Sequence, residues 1–175
     1  MLQVYLSLLD TQAEKDKFIQ VYEAYRDLMF YIARRYLAGD ADREIAVDGA
    51  LHALLGVLES LDDPFSTKTK NLVALITRNK CIDVLRRRGG ASEESWEESG
   101  GEETLPAKAP DAAADDLSLA IRSLRETSRD ALILRYYYGY SAAEIGKILG
   151  IGRDAARKRL ERAKKELKEM LEGDA

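Results

Sequence analysis

The 175-residue chain has one cysteine, Cys81, one histidine, His52, and one tryptophan, Trp96. A single cysteine rules out an internal disulfide framework and a cysteine-built metal site, and its expected state is a buried, unreactive thiol. With one histidine besides, no Gly-rich phosphate loop and no pair of acids on a recognisable pocket, the sequence offers no constellation for nucleophilic or metal chemistry. No catalytic residue, metal or cofactor is therefore expected. Only three prolines and 12 glycines interrupt the chain. No run approaches the roughly 18 apolar residues of a membrane span, and the opening stretch "MLQVYLSLLD" has no basic flank of the kind a secretory signal carries. A cytoplasmic protein without membrane insertion is the expectation.

What is abundant is Ala, Leu, Glu, Lys and Arg, a composition that favours an all-α fold. The net charge of −4 conceals a strong asymmetry. Residues 1–88 carry 13 basic and 13 acidic side chains, 89–119 carry 1 and 9, and 120–171 carry 13 and 7. The chain therefore reads as a neutral body and a basic body joined by an acidic connector.

Apolar side chains at Phe18, Val21, Tyr22, Tyr25, Leu28, Met29, Ile32 and Tyr36 fall at steps of three and four, the stripe of one helix. A second stripe runs through Val47, Leu51, Leu54, Leu55 and Leu58, closed by "DDP" at 62–64. A third helix is expected from about Lys68 to Arg88, with Leu72, Leu75, Ile76, Ile82 and Leu85 among its apolar positions, and Gly89 and Gly90 stop it. The segment "GGASEESWEESGGEETLPAKAPDAAADD" shows neither helical nor strand period and reads as a flexible linker. Trp96 inside it suggests docking, on a partner or back on its own chain. Beyond it, Leu117, Ala120, Ile121 and Leu124 suggest one helix and "SRDALILRYYYGY" another.

The most informative stretch is 141–167, "SAAEIGKILGIGRDAARKRLERAKKEL". Ser141 with Glu144 forms a capping box, Ile145, Ile148 and Leu149 supply a buried face, and Gly150 suits a left-handed helix stop. A second helix then buries Ala156, Leu160, Ala163, Leu167 and Met170 or Leu171. Two helices joined by so short a Gly-containing turn make a helix-turn-helix, with Gly146 and Ala156 small where the helices approach. Arg153, Asp154, Arg157, Lys158, Glu161 and Lys164 or Lys165 are left outward. Local pairs Arg157–Glu161 and Arg162–Glu166 would make a merely solvated basic helix, but clustering of basic residues in the first turns suits a recognition helix in a major groove. Arg157 and Lys158 are expected to meet bases or phosphates, Arg153 to position the helix start, and Asp154 to accept from a cytosine amino group or orient an arginine.

Lys68, Lys70, Arg78, Lys80 and Arg86 to Arg88 give the third helix and its approach a basic side. Asn71, Asn79 and Asp83 can supply hydrogen bonds to bases or sugars. Phe65, in "LDDPFSTKTK", is the aromatic best placed to hold an unstacked base.

Taken together, "LLDTQAEKDKFIQVYEAYRDLMFYIARRYL", "TRNKCIDVLRRR" and "LILRYYYGYSAAEIGKILGIGRDAARKRLERAKKEL" resemble the sigma-70 family of bacterial RNA polymerase sigma factors, in its small extracytoplasmic-function type with regions 2 and 4 only. The resemblance implies two small helical domains: region 2 at 1–88, an acidic flexible linker at 89–117, and region 4 at 118–175. It implies a promoter-specificity subunit that binds core polymerase at its clamp helices and β-flap and directs initiation at −10/−35 promoters. On it, Phe65, Lys68, Lys70, Asn71, Arg78, Asn79, Lys80, Asp83, Arg86 and Arg87 correspond to −10 recognition and melting. Arg153, Asp154, Arg157, Lys158, Arg159 and Arg162 correspond to −35 recognition, and Arg43, Glu44, Asp48 and His52 to polymerase binding. An anti-sigma factor is a further partner that the family allows. The chain departs from the family pattern at "IAVD" (Ile45 to Asp48), at Leu54 and Leu72 where tryptophans are common, and at Ala155-Ala156. Two alternatives stay open: a free-standing helix-turn-helix regulator that uses only 118–171, and a sigma-like antagonist that binds polymerase without melting DNA.

Overall fold

The computed structural model describes residues 2–89 and 116–173, and divides into two compact units, Met1–Pro106 and Ala107–Ala175. Every regular element among the described residues is helical. The connector's expected features, Trp96 included, lie outside the described residues.

The N-terminal unit is built on three long helices: α2 (Gln12–Tyr36), α3 (Asp40–Leu55) and α4 (Thr67–Arg87), preceded by a five-residue helix α1 (Leu2–Leu6). Helix α2 begins six residues before the first expected apolar position. Thr11 and Glu14 form a capping box there, with Thr11 accepting from the Glu14 amide and Glu14 accepting from the Thr11 amide at 2.9 Å. The core comprises Phe18, Val21, Leu28, Met29 and Ile32 from α2, Val47, Leu51 and Leu54 from α3, and Val73, Ala74 and Cys81 from α4, all almost fully buried. Burial pushes the Cys81 thiol up to about 12, so it stays protonated and inert near neutrality.

Helix α4 does not bury its largest apolar side chains most deeply. Thr69, Val73, Ala74, Thr77, Cys81 and Val84 point inward, whereas Leu72, Leu75, Ile76, Ile82 and Leu85 are only half-buried. Helix α4 packs against both α2 and α3, and small side chains between them let the axes approach closely. The larger apolar residues then flank the contact. Thr77 satisfies its buried hydroxyl by donating to the Val73 carbonyl at 2.8 Å.

Two polar ties fix the corners. Arg43 donates from Nε to the Leu37 carbonyl and from Nη1 to Asp40, both at 2.7 Å, closing the turn between α2 and α3. Asp42, buried in the first turn of α3, pairs with Arg88 at the end of α4 at 2.5 Å. A carboxylate at a helix N-terminus and a guanidinium at a helix C-terminus each complement the local backbone dipole.

The C-terminal unit contains α5 (Asp116–Ser123), α6 (Glu126–Leu132), α7 (Ala142–Leu149) and α8 (Arg153–Gly173). Helix α6 widens into a π-turn over Ile133–Tyr137, where the Tyr138 amide reaches back to the Ile133 carbonyl. Helix α8 is the hub, packed by α5, α6 and α7. Ala156, Leu160 and Ala163 are its buried residues, while Leu167 and Met170 are half-buried and Leu171 is exposed, because the other helices end before they reach the last turns.

The turn between α7 and α8 has the expected construction. Ser141 and Glu144 form the capping box, and Gly150 stops α7 at φ 68°, the left-handed region. Gly146 is required for a different reason. A Cβ there would stand 2.8 Å from the Ile151 carbonyl oxygen and 3.3 Å from the Arg153 amide nitrogen. The close neighbour is the backbone of the turn itself, held by the Ile151 amide donating to the Gly146 carbonyl at 2.8 Å. Gly146→Ala must push that turn away, at a cost of about 1–3 kcal/mol. Hydrogen exchange on the intact chain should show amides of α7 and α8 exchanging about fivefold faster or more, with α2–α4 unchanged.

Candidate nucleic-acid interface

On α8, Arg153, Asp154, Arg157 and Lys158 are all exposed and occupy two adjacent rows, 153/157 and 154/158. They fall within the first turn and a half, about 8 Å of helix axis. Arg157 approaches Glu161 only loosely, at 4.0 Å between two exposed groups, so its guanidinium remains available to an outside anion. Arg159 is half-buried.

The expected Arg162–Glu166 pair is replaced. Glu166 instead accepts from Arg125 at 2.7 Å and from the Ser128 hydroxyl, and Arg162 contributes only through its charge. The Glu166 bonds tie α8 to the start of α6 and so help fix the recognition helix. The Arg125 hydrogen bond, the largest influence, holds the Glu166 carboxyl below its ordinary value.

On α4 the expected residues scatter around the helix rather than sharing one face. Lys68, Asn79 and Arg86 are exposed, and their spacing of 11 and 7 residues keeps them on one outer stripe roughly 27 Å long. Asp83, half-buried, lies next to that stripe. Arg78 turns to one flank and donates from Nε to the Tyr36 hydroxyl at 3.1 Å. Lys80 turns to the other flank, its stem against the backbone of Gly49. Lys70 and Asn71 are half-buried, and Arg87 is exposed beside the stripe. Arg88, expected among the basic contacts, is engaged with Asp42.

Phe65 is 64% exposed on the loop before α4, not tucked into the core. The backbone around it is held closely: its own amide donates to Asp63 at 2.9 Å, and Tyr25 donates to the Pro64 carbonyl at 2.9 Å.

Of the residues expected to bind polymerase, Glu44, Asp48 and His52 are exposed and form one row on α3 at steps of four. Arg43 is half-buried in the corner bonds described above. Sequence reasoning missed Tyr5. Its ring is buried against Phe18, with centroids 5.6 Å apart, and its hydroxyl donates to both the carboxylate and the carbonyl of Asp48. Burial and the Asp48 carboxylate together raise the Tyr5 pKa, so the hydroxyl stays protonated. The only local hint is a tyrosine among the leucines of "LQVYLSLL". Val4 and Ile45 remain exposed on the same two helices, and Leu8 just after α1.

Among the described residues no group of acids, histidine and cysteine could hold a metal ion, and no helix is long and apolar enough to cross a membrane. A helix-turn-helix whose second helix opens with exposed arginine and lysine defines a DNA-binding domain.

Residues 114–167 match the family model described as sigma-70, region 4. Over this stretch the C-terminal unit is accordingly similar to sigma-70 region 4. No curated protein matches the sequence. Among solved structures, the sigma factor RpoE of Bartonella quintana, in complex with the anti-sigma factor NepR, is 23% identical with a TM-score of 0.52, covering 94% of this chain and 100% of that one. CnrH, in complex with the cytosolic domain of CnrY, is 20% identical with a TM-score of 0.46, covering 90% and 89%. The likeness to RpoE is one of fold.

The lowered Glu166 carboxyl gives a signed expectation. Its ionised bonds stabilise the fold above the ordinary glutamate range, and that contribution is lost as pH falls through the lowered folded value. Glu166→Gln should therefore be less stable than the parent at pH 6–8, by at most about 1 kcal/mol for so exposed a partner. The difference should shrink below about pH 4.5. Parallel denaturant titrations across pH check it, and a gap that widens in acid would refute the assignment.

Proposed function

We propose that this protein is a promoter-specificity subunit, a sigma factor of the extracytoplasmic-function type, acting in the cytoplasm on core RNA polymerase. The observation that carries the reading is the sigma-70 region 4 helix-turn-helix, whose α8 presents Arg153, Asp154, Arg157 and Lys158. A second helical unit with the basic outer stripe Lys68, Asn79 and Arg86 stands upstream of it. A free-standing regulator would have no use for that stripe.

In this reading α8 enters the major groove of the −35 element. Arg157 and Lys158 neutralise phosphates or donate to guanine, and each neutralised phosphate adds affinity by releasing counterions. The outer stripe of α4 follows the −10 strand backbone, and Phe65 offers an apolar face to a base leaving the stack. Glu44, Asp48 and His52 meet the polymerase clamp helices, and Tyr5 fixes the rotamer of Asp48 within that contact. The protein performs no chemistry itself; it acts by binding differently to closed and opened DNA. RpoE was solved with an anti-sigma factor, and an inhibitory partner of that class fits this chain as well.

Purified bacterial core polymerase should, with this protein, initiate on fragmented genomic DNA at new sites whose mapped 5′ ends share two spaced upstream motifs. If no new starts appear while the protein still co-purifies with core, the antagonist reading replaces this one. With neither starts nor binding, the chain acts as an ordinary DNA-binding regulator. Asp48→Arg should abolish core binding and transcription yet leave −35 duplex binding intact. Arg157→Ala should weaken that duplex binding by about 1–3 kcal/mol if the guanidinium reads a base. If it meets a phosphate instead, the slope of log affinity against log salt should fall by about 0.9.

A further inference from the structure

Four carbonyl groups of the loop between α3 and α4 accept from side chains of α2 and α4. The Lys17 ammonium on α2 donates to the Leu61 carbonyl at 2.7 Å and reaches the Leu58 carbonyl at 3.5 Å. Two turns along the same helix, Tyr25 donates to the Pro64 carbonyl at 2.9 Å. Thr69, in the first turn of α4, donates to the Asp63 carbonyl at 2.7 Å. Asp63 in turn accepts the Phe65 amide at 2.9 Å, and the Ser66 side chain caps α4 through the Thr69 amide at 3.1 Å.

Lys17 and Tyr25 stand about 12 Å apart along α2. Three extended residues, from Leu61 to Pro64, reach about 10 Å. The two bonds thus hold the segment at both ends. Leu58 and Leu61 anchor it from below at 2% and 4% exposure. Phe65 alone among the large apolar residues of the loop is pushed out, at 64%. An exposed phenyl on a free loop would fold back over neighbouring apolar surface; here the backbone to either side is committed elsewhere.

We infer that Lys17 and Tyr25 are positioning residues for strand opening: by fixing the Leu61 and Pro64 carbonyls they hold Phe65 outward, as a preformed surface for one unstacked base. The inference rests on the proposed reading in which Phe65 meets that base. Neither side chain touches DNA. A preformed surface spares the ordering of a loop at the moment of capture, so its loss acts on the opening step and not on polymerase binding.

The test compares two templates with core polymerase and the full-length protein, using a promoter from the mapped starts. One template is fully paired; the other carries a mismatched bubble across the melted segment. Lys17→Met keeps the aliphatic stem and Tyr25→Phe keeps the ring, so each removes only a donor. Each should slow transcript formation about tenfold on the paired template and by less than twofold on the bubble, while Lys17→Arg restores the parent rate. A folding or polymerase-binding defect would depress both templates equally, and that result overturns the inference. Phe65→Ala separates the two claims. If it slows only the paired template while Lys17→Met and Tyr25→Phe do not, the positioning role is wrong and the reading of Phe65 stands. If Phe65→Ala shows no difference between templates, that reading fails and the positioning role fails with it.

Discussion

The close approach of α4 to α2 and α3 is the constraint on which the rest of the N-terminal domain depends. Val73, Ala74, Thr77 and Cys81 line the contact with small side chains, so the three axes can draw together and enclose Phe18, Met29, Leu51 and Leu54. Large residues on that face would hold the helices apart and leave voids beside them. With the inward face fixed, the outward face is fixed too: Lys68, Asn79 and Arg86 have nowhere to turn but to solvent. The Asp42–Arg88 pair then ties the start of α3 to the end of α4, so the basic stripe is carried on a rod secured at its far end.

In the C-terminal domain the corresponding constraint is the backbone contact at Gly146. The helix-turn-helix closes because the Ile151 carbonyl can lie against a position without a side chain. That contact sets where α8 starts, and Glu166 with Arg125 holds it thirteen residues on. Between the two anchors the rows 153/157 and 154/158 project from a fixed rod. Both anchors set the angle at which these exposed rows project.

Much of this was legible because it is local. The steps of three and four in α2, α3, α7 and α8, the capping box at Ser141 and the left-handed stop at Gly150 all act within one or two turns. The Thr11–Glu14 capping box is equally local, and it places the start of α2 where apolar spacing alone does not. What escaped was non-local. Helix α1 has five residues, too few to persist by itself, and it is held by Tyr5 against Phe18 and Asp48, elements that the sequence separates by up to 43 positions. Arg88–Asp42 and Arg125–Glu166 escaped for the same reason, since a basic residue near a helix end has many potential partners and only the fold selects one. On α4 side-chain size is no guide to burial: the leucines and isoleucines flank the contact because a tight one has no room for them. The candidate site followed this pattern. Exposed residues on α8 were legible from period and charge, whereas the bonds that hold Arg78, Arg43 and Phe65 in place were not.

In the proposed reading, two modest DNA contacts gain from being joined. A base or phosphate contact on α8 and a stripe on α4 are each worth a few kcal/mol, within reach of many non-specific sites. Joined, the second contact becomes intramolecular, at an effective concentration set by the connector. The 28 residues from 89 to 116 can extend to about 95 Å, against about 30 Å for a relaxed coil. Promoter elements two helical turns apart lie about 70 Å from each other. The connector is thus long enough to let both domains bind but must be drawn out to do so, and free chain entropy alone would make simultaneous binding weak. Its excess of acidic side chains, 9 against 1 over 89–119, is repelled by DNA phosphates. A basic or neutral connector of equal length would compete for the same phosphates and blur the discrimination that two separate contacts provide.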